Sequence, residues 1–433
     1  MKLIKGGNIL TESGLERKDI LFDEAKILKI EENISLQSGS GANGTTDADV
    51  EIIDAVGLTV LPGLIDVHVH LREPGGEHKE TIKTGTMAAA AGGFTTIMAM
   101  PNVNPFPDNT ETMRDYKKLI EREANVNVLP YACITENEKG SKIVDMKALK
   151  EEGVKWFSDD GVGVRDDNIM EEAMKLSAEL DTIIAAHTED MDYRKPKACM
   201  HRGAASERLG LIGIPSECEY KQLERDLKLV LKTGAHYHCC HMSAKESVQL
   251  LSEYHKKGCD VTGEVAAHHL LLIDEDVKGP NWKMNPPLRT KEDKEALFQG
   301  LINGDIQIIA NDHAPHSEEE KAKGMEESPF GIVSIETAFP LLYTEFVKRG
   351  KMTLSQLVKF MSENPAKRFG LGNKGILKEG YDSDIILVDT ENEYIIDKNK
   401  FLSKGKNTPF DGYRCCGKVK KTYVKGDLVY EED

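Results

Sequence analysis

With 433 residues, 39% hydrophobic and 30% charged, the chain has the make-up of a soluble globular protein with a large core, and its length allows two or three domains. A net charge of −17 argues against a nucleic-acid surface and against an acidic membrane leaflet, so an anionic ligand would need a local cationic pocket. No run approaches the ~18 apolar residues of a membrane span, and the opening MKLIKGGNIL is too short and too broken by glycine for a signal peptide; a cytoplasmic protein is expected. The eight cysteines (Cys133, Cys199, Cys218, Cys239, Cys240, Cys259, Cys415 and Cys416) include no Cys-x-x-Cys pair. They are expected to be reduced, with Cys239 and Cys240 as packing residues.

Residues 1–56 read as short strands around Leu3-Ile4, 20–22, 27–30 and 50–53, separated by Gly6-Gly7 and the polar stretch 35–49. That stretch is expected to be an exposed loop without a function. From about Gly57, strands alternate with helices. The run LPGLIDVHVHLREPG at 61–75 is the first of these strands, stopped by Pro74-Gly75. Residues i and i+2 of a strand share a face, so His68 and His70 are expected side by side, with Val67, Val69 and Leu71 on the other face. Later strands are expected at 94–100, 126–134, 154–157, 182–186, 235–240, 261–267 and 306–310. Helices are expected near 81–91, 110–124, 168–180, 216–233, 243–257 and 291–303.

Eight such units predict an α/β fold, a closed (β/α)8 TIM barrel over residues 57–370; an open doubly wound sheet is the alternative. A helix at 354–360 and a segment at 364–369 close it. Residues 375–389 then read as a turn and a strand, and 419–424 and 428–430 as further strands. Both chain ends are β-rich and neither is large enough for a core. Residues 1–56 and 371–433 are therefore expected to build one small β-sandwich domain together.

The polar residues gather where strands end: His68, His70, Asp160, His187, His241 and Asp312. In a parallel barrel those ends converge on one face. Four histidines and two carboxylates suit zinc or another divalent metal. Six ligands exceed one tetrahedral ion and suit two ions ~3.5–4 Å apart that share a carboxylate and a water. The alternative is a set of unrelated polar groups at loop starts. Arg72, two residues past His70, can point at the same pocket, and its planar fork suits a carboxylate.

The motifs HVHLREPG (68–75), MPN (100–102), FSDDGVGV (157–164), AAHTED (185–190), HMSAKESV (241–248), MNPPLR (284–289) and NDHAPH (311–316) occur in this order. Together they closely resemble dihydroorotases of the longer, bacterial-type class (class I) in the amidohydrolase superfamily. The resemblance spans essentially the whole chain, including the strand at 375–389. It implies that His68, His70 and Asp312 hold the more buried zinc and His187 and His241 the second, two Zn2+ per subunit bridged by Asp160 and hydroxide. Many superfamily members bridge their metals with a carboxylated lysine; here Asp159-Asp160 stands at that point, Asp160 in the bridging position, and Lys155 reads as structural. It also implies substrate-binding roles for Arg72, Asn102, Asn285 and His316, and for the backbone at Phe330 and Gly331. His268 and His269 would support the site, His313 is ambiguous, and His78, His201, His236, His238 and His255 read as ordinary.

The activity so implied is reversible, zinc-dependent hydrolysis of the cyclic amide of (S)-dihydroorotate to N-carbamoyl-L-aspartate, in de novo pyrimidine biosynthesis. Asp312 would take the proton of the attacking hydroxide and pass it to the leaving ring nitrogen. Other cyclic amidases (dihydropyrimidinase, hydantoinase, allantoinase) are the alternative, and a non-catalytic scaffold is a further one; Asp160 and Arg72 favour dihydroorotase. The acidic and lysine-rich segment 317–328 is open to two readings, a mobile cover or a solvated loop. A homodimer is the default for a soluble enzyme, and association with aspartate carbamoyltransferase is left open.

Overall fold

The computed structural model describes residues 1–11, 13–35 and 50–432. The loop expected at 35–49 thus lies, apart from Ser35, outside the described residues. Five strands open the chain: β1 (Lys2–Thr11), β2 (Gly14–Phe22), β3 (Ile27–Glu31), β4 (Glu51–Asp54) and β5 (Thr59–Pro62). Next come β6 (Leu64–Val69), β7 (Phe94–Ala99), β8 (Asn127–Pro130), β9 (Trp156–Phe157) and β10 (Ile183–Ala186). A short pair, β11 (Met200–His201) and β12 (Gly213–Ile214), precedes β13 (His236–Cys239), β14 (Val261–Ala266) and β15 (Ile308–Ala310). The chain finishes with β16 (Ile385–Asp389), the pair β17 (Tyr394–Ile395) and β18 (Arg414–Cys415), then β19 (Lys418–Val424) and β20 (Asp427–Glu431).

Strands β6, β7 and β8 pair in parallel, and so do β9, β10, β13, β14 and β15. Bridges Ala132–Phe157 and Val69–His313 join these two runs at both edges, which closes an eight-stranded parallel barrel. The crossover helices begin where the sequence supplies a cap. Thr81, Asn109, Asp166 and Thr290 cap Ile82–Ala91, Thr110–Glu123, Asp167–Glu179 and Lys291–Asn303 with their side chains. Glu217–Thr233 stops at Gly234, whose φ of +73° suits a residue without Cβ. Short helices such as Met146–Glu151 and Ala204–Leu209 escaped the sequence reading because six residues are too few to show a period.

Strands from both chain ends hydrogen-bond into one eight-stranded sheet, in the order β20-β19-β16-β5-β1-β2-β3, with β4 pairing β1. Alternation decides what each face meets. In β16, Ile385 and Leu387 enter an apolar cluster with Ile4, Ile20, Phe22 and Tyr423, while Ile386 and Val388 join the barrel's outer core. Among the described residues no helix is long and apolar enough to cross a membrane.

The same alternation aims the functional residues. Met98 and Met100, Trp156, Ala185, Cys240, Ile308 and Ala310 form one cluster contributed by five strands. Two residues further along those strands stand Asn102, Ser158 and then Asp160, His187 and Asp312. The first strand breaks the rule: its pairing with β7 shifts register between Asp66 and Val69. Val67 therefore belongs to the inner cluster, not to the outer face with Val69 and Leu71 as the alternation had predicted, and the chain still turns His68 and His70 inward.

Candidate active site

His68 and His70 stand with ring centroids 5.4 Å apart. Between them and the later strand ends sits Asp160. Its Oδ1 lies 3.3 Å from His68 Nε2, 3.6 Å from His187 Nδ1 and 3.4 Å from His241 Nε2, and its Oδ2 lies 3.4 Å from His70 Nε2. Asp312 Oδ1 lies 3.1 Å from His70 Nε2 and 3.7 Å from His68 Nε2. Two adjoining triads result, His68–His70–Asp312 and Asp160–His187–His241, each compact enough to hold one metal ion. All six residues are buried. Arg72, His241 and Asp312 have φ of +61°, +31° and +47°, a backbone region that L-residues avoid and that recurs at functional sites.

Hydrogen bonding on the outer side of the rings shows what the inner side can hold. Glu264 Oε1 accepts from His68 Nδ1 at 2.7 Å, Asn102 Oδ1 from His70 Nδ1 at 2.9 Å, and Glu189 Oε2 from His187 Nε2 at 3.2 Å. With those outer nitrogens protonated, each inner nitrogen turns a lone pair toward carboxylate oxygens. His68 Nε2 and Asp160 Oδ1 have no hydrogen-bond partner, and His187 Nδ1 and His241 Nε2 face each other at 2.9 Å. Acceptors crowded together in a buried space call for a cation. The titration shifts agree. Burial works against ionisation of Asp160, yet His68, His187 and His241 outweigh it and hold the carboxyl well below its ordinary value. Burial opposes protonation of His187, yet Asp160 and Glu189 raise it to about 10. The donor set fits divalent metal ions: nitrogen and carboxylate ligands at the bottom of a cavity, with outer partners that fix each ring. Cys240 also reaches this cluster, but burial and then Glu264 push its thiol far up, so it stays protonated.

The cavity above the two triads holds about 220 Å³. Of the predicted residues, His70, Asp160, His187, His241 and Asp312 form its floor, while Arg72, Asn102, Asn285, Phe330 and Gly331 line its walls. His68 lies beneath, fully buried. His316 stands behind the wall, donating from Nε2 to the Phe330 carbonyl at 2.8 Å and lying 3.4 Å from Arg72 Nη2. Burial, followed by the Arg72 charge, drops its pKa to about 3, so it is neutral. Arg72 Nε donates to the Pro315 carbonyl at 3.3 Å. Asn102 serves His70 and also donates to the Asp160 carbonyl at 3.4 Å. Asn285 Nδ2 donates to Glu189 Oε2 at 2.9 Å.

The segment 317–328 is tied to the body of the protein. Lys283 Nζ donates to the carbonyls of Glu326 and Ser328 at 3.1 and 2.5 Å, and Lys321 Nζ to those of Pro329 and Gly331 at 3.0 and 2.9 Å.

A whole-length likeness to known proteins accompanies this geometry. Residues 57–247 match the family model described as Dihydro-orotase-like. A dihydroorotase from Bacillus cytotoxicus is 51% identical over an alignment that covers 100% of this chain and 98% of that protein. The chain belongs to the dihydroorotase family. Further dihydroorotases, from Bacillus cereus strain B4264 and Bacillus anthracis, are 51% and 50% identical with the same coverage. Among solved structures, an L-hydantoinase (dihydropyrimidinase) from Arthrobacter aurescens superposes with a TM-score of 0.86 at 26% identity, over 99% of this chain and 96% of that one. A D-hydantoinase (dihydropyrimidinase) from Thermus sp. gives 0.83 at 25%, over 99% and 95%.

Several residues beneath this dihydroorotase-family site escaped the sequence reading. Glu264 accepts from His68 and, through Oε2, from His238 Nε2 at 3.0 Å, and its Oε1 also takes the His241 backbone N–H at 3.0 Å. His238, set aside as ordinary, is thus part of the support and passes on to Thr262 Oγ1 at 2.8 Å. Asp66 accepts from the backbone N–H groups of His68 and Asn311 at 3.1 and 3.2 Å and from Asn311 Nδ2 at 2.8 Å. It clasps the first barrel strand to the last directly below His68 and Asp312. Arg194 pairs with Glu189 and stacks on Phe330, 4.6 Å from the ring centroid. A charged residue inside a short barrel strand, such as Glu264 in VTGEVA, is the signal that was there to read: a buried carboxylate needs a partner.

Proposed function

We infer that the protein is a metal-dependent cyclic amide hydrolase that opens dihydroorotate to N-carbamoyl-aspartate and runs the closure in reverse. One observation carries this: a guanidinium, Arg72, lines the same cavity as two histidine–aspartate triads, with Asp160 of one standing 3.3 and 3.4 Å from His68 and His70 of the other. A ring amide and a ring carboxylate on one small molecule satisfy both halves.

In this reading His68, His70 and Asp312 would hold one ion and His187 and His241 a second, with Asp160 available to both; zinc, two per chain, is the ion that would suit the donors. Bound there, the ions would supply hydroxide at neutral pH and polarise the amide carbonyl. The chain's own residues do the rest. The Arg72 fork receives the ring carboxylate, and Asn102 and Asn285 meet the polar edge of the ring, so that the scissile carbonyl is held over Asp312. Burial would raise the Asp312 carboxyl, but His70, His68 and His241 beside it hold it at about 2, so it stands ionised and ready to accept. It takes the proton released when oxygen attacks the carbonyl carbon, and returns it to the ring nitrogen as the C–N bond breaks. Neutral His316 and the backbone at Phe330 and Gly331 complete the ring-binding wall.

A catalytic barrel over 57–370 and a supporting β unit from 1–56 and 371–433 belong to the same proposal, as do a cytoplasmic location, a homodimer and association with aspartate carbamoyltransferase. The test is turnover of dihydroorotate by purified, zinc-loaded protein, followed by ring absorbance. Hydrolysis that a chelator abolishes and zinc restores supports the reading. A metal-loaded protein that leaves dihydroorotate intact but opens an uncharged cyclic amide refutes it.

A further inference from the structure

A segment late in the chain reaches back to the substrate wall. Between β17 and β18, residues 402–407 run along the barrel face and are pinned by two carboxylates, the half-buried Glu336 and the buried Glu80. Glu336 accepts from the N–H groups of Leu402 and Ser403 at 3.0 and 3.1 Å. Glu80 accepts from the Lys404 N–H at 3.2 Å and from the Ser403 hydroxyl. At Gly405 the backbone passes so close that a Cβ would stand 2.7 Å from Pro315 Cβ and 2.8 Å from Val333 Cγ1. The segment is pressed against both sides of the wall that carries His316 and Gly331.

The next contact is made by Asn407, which is 4% exposed and does not line the cavity. Its Oδ1 accepts the His316 N–H at 3.1 Å, and its Nδ2 donates to the carbonyls of Gly331 at 3.0 Å and Ala314 at 3.3 Å. Its own carbonyl accepts the Val333 N–H at 3.1 Å. One amide therefore fastens the 314–316 backbone to the 331–333 backbone. Those are the stretches on which substrate contacts hang: Pro315 holds Arg72, His316 faces Arg72 and Phe330, and Gly331 borders the cavity.

We propose that Asn407 is a positioning residue for the substrate wall, setting the spacing between Arg72, His316 and Gly331 from outside the pocket. The proposal rests on the dihydroorotase reading above. Only an amide does this, because the site needs an acceptor on one side and two donors on the other. The isosteric Asn407→Asp keeps the acceptor but turns a carboxylate toward two carbonyl oxygens. It acts on the wall that binds the ring and carboxylate, and leaves the two triads alone.

The test compares wild type, Asn407→Asp and the milder Asn407→Ser for KM, kcat, bound metal and Tm. KM for dihydroorotate should rise about tenfold or more in Asn407→Asp, the scale expected for losing hydrogen bonds to a buried wall. Bound metal should be unchanged and kcat should stay within about threefold. Asn407→Ser should fall between, and it carries the same reading if Asn407→Asp does not fold. If KM is unmoved while kcat, metal content and Tm fall together, Asn407 is merely structural and the proposal is wrong. Wild-type protein that ignores dihydroorotate fails the functional reading instead, and that result is visible before any variant is compared.

Discussion

Removing the charge of Glu264 without changing its shape should weaken the metal centre from beneath. Its carboxylate takes hydrogen bonds from His68, His238 and the His241 backbone at 2.7, 3.0 and 3.0 Å, in a fully buried position. In Glu264→Gln the amide oxygen can keep His68 and His241, and the amide nitrogen can donate to His238 Nε2, whose Nδ1 then donates to Thr262 Oγ1, already at 2.8 Å. The network survives with the proton still on His68 Nδ1; only the negative charge that makes His68 a stronger donor is lost. Partners of this kind are worth about 10–100-fold in metal affinity. Since the hydrogen bonds persist, Glu264→Gln should sit at the lower end, about tenfold or about 1.4 kcal/mol. Glu264→Ala leaves three buried groups unpartnered and should reach about 100-fold, with a loss of stability of about 1–3 kcal/mol for each group. The assay is titration of the loaded protein with a competing chelator, alongside urea unfolding of the metal-free form. Glu264→Gln with wild-type metal affinity would refute the argument that this carboxylate tunes His68.

Asp312→Asn removes the proton acceptor and should cut kcat by about 10²–10⁴-fold, read in steady state on protein shown to contain metal; undiminished turnover would remove Asp312 from the proton path. Arg72→Met should raise KM for dihydroorotate by about 10–150-fold, the worth of about 1.5–3 kcal/mol for a charge-assisted bond, and leave turnover of uncharged dihydrouracil, if there is any, unaffected; equal losses on both substrates would deny the carboxylate contact. Lys321 gives a pH signature. Burial, and then the Lys283 charge, lower its ammonium to about 7, while in the unfolded chain lysine titrates near about 10.4. Between those values the unfolded state holds a proton that the folded state does not, so stability rises with pH across that window, by at most about 1.4 kcal/mol per pH unit. Lys321→Met should remove that increment from urea unfolding curves at pH 7.5 and 9 relative to wild type; identical slopes would show that Lys321 is not depressed.

Much of the barrel and the convergence of the site could be read from the sequence, because both follow from local periodicity. Strands such as 306–310 and 182–186 are short apolar runs that end on Asp312 and His187, and a parallel barrel brings such ends together without long-range information. The register shift between Asp66 and Val69 could not be read, since it depends on how β6 meets β7. Nor could the supports. Glu264 looks like one more strand residue until His68 and His238 are seen on either side of it. Asn407 lies in a segment with no strand or helix pattern, and its function is set by a contact across more than 90 positions, with His316.

Fold and chemistry separate cleanly in this family. Hydantoinase and dihydropyrimidinase backbones superpose with TM-scores of 0.82–0.86 at 22–26% identity, so the barrel and its terminal sheet do not by themselves select a substrate. Selection must come from the few side chains above the triads. A guanidinium in a 220 Å³ cavity is costly to bury without a partner, and Arg72 donates to a carbonyl and lies beside a neutral imidazole. In the proposed reading a ring carboxylate would pair with Arg72, and the cost of burying the guanidinium against an uncharged ring would turn into discrimination against it. On that argument the wall fastened by Asn407 and the floor supported by Glu264 do different work. In the proposed reading the wall would decide which ring enters, and the floor how strongly metal ions would be held.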